Sequence, residues 1–176
     1  NANANTNGDF IILGKKVNDR NGAIVVRNIH LKINNALLNG NYAKTGASIF
    51  ASDANLSLNK VTISNNNADQ GAGIALSNTP LQLIETFFGN NNSTVSGGAI
   101  YSSNKSSISL SNGNFQSNKS LQGGSIDVVD QGSLSITNST FDADSAHNGA
   151  SIHLSNGTTI SIESSVLKNS FNGNGA

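Results

Sequence analysis

The chain has no cysteine, methionine or tryptophan, a single proline, and only 11% charged residues with a formal net charge of zero. Without cysteine, neither a disulfide framework nor a thiolate metal site is possible. Ten basic residues against ten acidic ones leave no basic face of the kind that holds phosphates, which removes electrostatic support for a nucleic-acid partner. No apolar run approaches the length of a membrane-spanning helix, and no charged-then-apolar leader opens the chain. The composition therefore predicts no nucleic-acid partner and no membrane insertion by this segment, and it calls for no cofactor or metal.

What is abundant is Asn and Ser, 30 and 26 of 176 residues. Such a composition often belongs to disordered tracts. Here, however, apolar residues recur at fixed positions. A small-residue corner reads Asn21-Gly22-Ala23-Ile24, Gly46-Ala47-Ser48-Ile49, Gly71-Ala72-Gly73-Ile74, Gly97-Gly98-Ala99-Ile100, Gly123-Gly124-Ser125-Ile126 and Gly149-Ala150-Ser151-Ile152. The isoleucines step by 25, 25, 26, 26 and 26. A fixed period of this size marks stacked units. Gly175-Ala176 stands where a seventh corner would start, so 1–176 reads as one segment of a longer array.

Each period carries three apolar clusters. The first follows the corner. The second alternates strictly, as in Leu56 and Leu58, Ile108 and Leu110, or Leu134 and Ile136. The third is one bulky residue: Leu38, Ile63, Phe88, Phe115, Phe141 or Leu167. Three residues later stands Asn41, Asn66, Asn91, Asn118, Asp144 or Ser170. Period-2 alternation argues for strands with one buried face, and nothing shows a helical stripe. Three short strands per coil of 25–26 residues predict an all-β, parallel β-helix, right-handed by the usual chirality of parallel crossovers. Identical residues would then stack about 4.8 Å apart, and the Asn column would form an amide ladder across a turn. One residue is inserted between Asn91 and the next corner, which predicts a bulge there.

Phe88-x-x-Asn91, Phe115-x-x-Asn118, Gly97-Gly98-Ala99-Ile100 and the related Gly123-Gly124 corner resemble the FxxN and GGA(I/L/V) repeats of chlamydial polymorphic membrane proteins. The period matches over nearly the whole chain, the literal motifs only in its middle. The resemblance implies an autotransporter passenger domain, located outside the cell and anchored at the outer membrane. It implies an adhesin that presents a rigid, repeated surface to a host-cell protein or glycan. It also implies binding roles for Phe88, Asn91, Gly97, Gly98, Ala99, Ile100, Phe115, Asn118, Gly123 and Gly124.

Independently of that resemblance, the outward column Val25, Phe50, Ala75, Tyr101, Asp127 and His153 offers a surface stripe. Its candidate residues are Phe50, Tyr101, Asp127 and His153, and Asp127 stands within hydrogen-bond reach of His153 on the next coil. Asp130, Asp142 and Asp144 are expected as solvated turn residues. Carboxylates are sparse and no nucleophile accompanies His153, so binding is favoured over catalysis. Two other readings stay open: a filament or matrix subunit assembling with copies of itself through its coil ends, and a carbohydrate-active enzyme.

Overall fold

The computed structural model describes Ala2–Ala4, Phe10–Leu13 and residues 21–172. The described residues are strands and turns, with no helix among them. All strand pairs are parallel and each joins one coil to the next, so the chain is a parallel β-helix. The first face is a six-stranded sheet beginning at Ile24–Arg27 and ending at Ile152–Leu154. Its register stacks Ile24, Ile49, Ile74, Ile100, Ile126 and Ile152. The second face stacks Leu31, Leu56, Leu81, Ile108, Leu134 and Ile160. The third stacks Leu38, Ile63, Phe88, Phe115, Phe141 and Leu167. Before the first full coil, Ala2–Ala4 and Phe10–Leu13 pair with the strand His30–Asn39.

Four bends close each coil, and each requires the left-handed backbone region. One column of bends runs through Asn28, Asp53, Asn78, Asn104, Asp130 and Asn156, and a second through Asn35, Lys60, Glu85, Asn112, Asn138 and Ser164. A third holds Gly40, Asn65, Asn90, Ser117, Ala143 and Asn169, and the fourth holds the corner glycines from Gly46 to Gly149. Asn tolerates this region better than other residues with a Cβ. Ten of the 30 asparagines thus meet a conformational requirement of the coil, distinct from the amide ladder. Hydroxyls serve the inner side of the bends. Ser106 Oγ accepts from the Thr79 N–H at 2.9 Å, and Ser139 Oγ from the Gly113 N–H at 3.0 Å, so buried donors of one coil are met by side chains of the next.

The interior is filled by the stacked aliphatic columns, and Phe88, Phe115 and Phe141 are fully buried. Their rings lie 4.7 and 4.6 Å apart, tilted by 6° and 12°. That spacing is the coil rise imposed by strand pairing.

Two features differ from the sequence pattern. The three expected strands are joined by a fourth short one in several coils, Asn67–Gln70, Asn92–Ser96, Ser145–Ala146 and Phe171–Asn172. Its inward residues include Ala68, Ser93 and Ala146, which are buried but too small to register as an apolar cluster. Second, the steps of 26 have two separate origins. The expected bulge lies between Ser93 and Ser96 and lengthens the step from Ile74 to Ile100. There the Ser93 hydroxyl donates to the Ser96 carbonyl at 2.9 Å. Later coils are long because the first bend gains a second left-handed residue: Lys105 after Asn104, Gln131 after Asp130, and Gly157 after Asn156.

Candidate functional site

The motif residues lie inside the coil. In Phe88-x-x-Asn91 the phenyl ring points into the core, Asn90 takes the left-handed bend at φ 53°, and the turn redirects the Asn91 side chain inward. Asn41, Asn66, Asn91 and Asn118 are all fully buried. Each Nδ2 donates to Oδ1 of the next coil: Asn41 to Asn66 at 3.0 Å, Asn66 to Asn91 at 2.8 Å, and Asn91 to Asn118 at 3.0 Å. The second Nδ2 proton reaches back to the preceding coil, from Asn66 to the Leu38 carbonyl, Asn91 to Ile63, and Asn118 to Phe88. The same Oδ1 atoms also accept backbone N–H groups, as Asn91 Oδ1 does from Asn66. A buried amide with every site used contributes about 1 kcal/mol per bond, and leaving one unmade costs more.

Gly97, Gly98, Ala99 and Ile100 form the next corner, with Gly123 and Gly124 one coil further. Gly97 is at φ 59°, and a Cβ on Gly98 would lie 2.0 Å from the Gly124 carbonyl oxygen. That glycine is needed for close approach between coils. Ala99, Ile100, Phe115 and Asn118 are fully buried. These ten residues therefore shape the coil, and any partner would meet the surface they hold in place.

The outward column is less open than its sequence suggests. Tyr101, Asp127 and His153 are register partners as expected, and Asp127 Oδ1 lies 2.8 Å from His153 Nδ1. Yet Asp127 is 0% exposed, Ala75 is buried, and Phe50 and Tyr101 are half-buried. The expected surface stripe is instead a notch. The tight glycine corner folds back against the start of the following strand, so a Cβ on Gly123 would meet the Asp127 backbone nitrogen at 2.9 Å. Residues just before the corner then overlie the column: Gln70 reaches the Tyr101 hydroxyl, and Ser96 lies beside the Asp127 carboxyl. Burial raises Asp127 above the ordinary carboxylate range, and His153 pulls it back down. Burial, then the charges of Asp127 and Asp130, raise the Tyr101 phenol. At the N-terminal end, Arg27 covers the Phe50 ring at 5.2 Å.

Asp144 also departs from expectation. It is a fully buried member of the amide ladder and not a solvated turn residue. Asp130 and Asp142 do lie at the surface, where Asp142 pairs with Lys168 at 3.5 Å.

An open concave surface follows the first bend. It is a shallow groove of about 660 Å³ lined by Asp53, Asn78, Asn104, Lys105, Asp130 and Asn156, with Ser77 and Gln131. The left-handed backbone turns these side chains out in axial register. Neighbours are tied together by Asn78 to Asp53 at 2.9 Å, Asn104 to Ser77 at 2.8 Å, and Asn156 to Asp130 at 3.4 Å. Asp53, Asn78, Asn104, Asp130 and Asn156 recur at one station of the repeat, whereas Lys105 and Gln131 fall outside it. Those two are the inserted residues, whose signal was the eight-residue spacing from Ile100 to Ile108 in place of seven. Among the described residues, no three His, Asp or Glu side chains gather as a metal-binding group. No family model matches the chain, and neither a curated protein nor a solved structure shows significant similarity to it.

Proposed function

We propose that this β-helix is a binding segment of a cell-surface protein, an adhesin that holds a rigid repeated surface toward a host-cell protein or glycan. One observation carries the reading. The outward residues of the first bend repeat in register along five successive coils and line a continuous polar groove. Side chains at the coil rise, held by a backbone with few torsional alternatives, offer many weak polar contacts that sum along the axis. Resemblance of the FxxN and GGA(I) strings to passenger repeats adds the surface location. The test is binding of the monomeric chain to cultured host cells and to a glycan array. The variant Asn104→Gly/Lys105→Gly/Gln131→Gly removes groove side chains without touching the core, and glycine takes the left-handed bends without strain. Loss of binding at an unchanged unfolding midpoint supports the reading, and unchanged binding overturns the groove as the contact surface.

A further inference from the structure

We propose that Asp144 is a buried proton-binding site, and that its protonation completes the amide ladder and locks the C-terminal coils together. The argument starts from register. Asp144 occupies the station filled by Asn41, Asn66, Asn91 and Asn118 in earlier coils. Its Oδ1 behaves as an asparagine oxygen does, accepting from the Asn118 N–H at 3.0 Å and from Asn118 Nδ2 at 3.3 Å. Its Oδ2 stands where an amide nitrogen would stand, and it is buried with no hydrogen-bond partner. In the preceding coils that nitrogen donates to the carbonyl of Leu38, Ile63 or Phe88. The next carbonyl in the same register column is that of Phe115.

An ionised carboxylate would set Oδ2 against the carbonyl column, with only the Ser125 and Ser151 hydroxyls as further donors in a closed interior. A proton on Oδ2 converts that oxygen into a donor and restores the pattern of the amide coils. The groups that face Asp144 are Asn118 from the preceding coil and the hydroxyls of Ser125 and Ser151 from the corners, and none is charged. Ser151 is itself bonded to Ser170, the next residue of the column, at 2.6 Å. The nearby ion pair of Asp142 and Lys168 is directed to the surface. Burial is the leading cause that pushes the Asp144 carboxyl up to about 6, against the smaller opposing effect of its hydrogen bonds.

The sign follows from linkage. A carboxyl raised in the folded state contributes stability that is fully present below its unfolded value near 3.8 and is lost as pH rises through about 6. The C-terminal coils are thus tightest in mild acid and loosen toward neutral pH.

The experiment compares thermal unfolding of the wild-type chain and Asp144→Asn between pH 4 and pH 8. The substitution supplies a permanent donor at the Oδ2 position. The expected result is a variant whose midpoint exceeds wild type at pH 8, with the gap closing as pH falls below about 6. Asp127 and His153 are present in both proteins, so the difference isolates Asp144. A gap that does not change with pH, or a variant less stable than wild type at pH 8, overturns the proposal. A carboxyl-carbon NMR titration of the wild type reads the same site without substitution. A midpoint near 6 supports it, and one at or below the ordinary value of 3.8 overturns it.

Discussion

Leu38 and Leu167 are the same residue at the same station of the coil, the second and the seventh members of a register column that begins at Ile12. Leu38 is fully buried, whereas Leu167 is 46% exposed. The repeat gives both the same strand position and the same inward direction. Among the described residues, Leu38 has a coil on each side and Leu167 a coil on one side only. In a solenoid, local sequence sets the station, but stacking from both sides supplies the burial free energy. The amide ladder shows the same contrast in polar terms. Asn91 has an amide above and below it, while Asp144 has an amide below and Ser170 above.

The largest way to sharpen this comparison is to empty the middle of the aromatic stack. Phe115→Ala, between Phe88 and Phe141, is expected to cost about 4 kcal/mol in chemical denaturation. A loss below about 1 kcal/mol would mean that the stack is not a principal source of interior packing. Next, Asn91→Asp transplants the chemistry of Asp144 into the middle of the ladder. At pH 7 it should cost about 3 kcal/mol, since a buried carboxylate there faces the Ile63 carbonyl with no donor. Much of that loss should be regained by pH 5, because a raised carboxyl restores stability as pH falls through its folded value.

His153→Ala probes the notch. It removes the imidazole and the hydrogen bond that hold Asp127 down, and about 2 kcal/mol is expected to be lost. Asp127 is then raised further, so the variant's stability should fall more steeply with rising pH than that of wild type. Equal slopes in the two unfolding series would separate Asp127 from His153. The smallest effect returns to the opening pair. Leu167→Ala should cost under about 1 kcal/mol, against about 3 kcal/mol for Leu38→Ala, measured by the same denaturation. Equal costs would show that the last coil is covered in solution.

Much of the fold is legible because the stacking rule is one-dimensional. Once Ile24 through Ile152 are aligned, the columns of Leu, Phe and Asn follow by counting, and so does the bulge after Asn91. The fourth strand was not legible, because Ala68 and Ser93 bury a small inward face without bulk. The bend through Lys60 and Glu85 carried no glycine and no uniform residue type, so nothing marked its left-handed backbone. The two origins of the 26-residue steps were hidden in a single number. At the candidate site, the register of Tyr101, Asp127 and His153 was readable, but the burial of Asp127 was not. It depends on how the Gly123 corner folds over a neighbouring strand.

Sequence alone determined which residues share a column, because a parallel in-register coil repeats side-chain direction at a fixed chain length. Tertiary structure decided what each column means. Solvent exclusion depends on coils above, below and across the corner, and those neighbours are remote in sequence. That is why the same Asx chemistry became an open groove at Asn104, a saturated ladder at Asn91, and a buried carboxyl lacking one partner at Asp144.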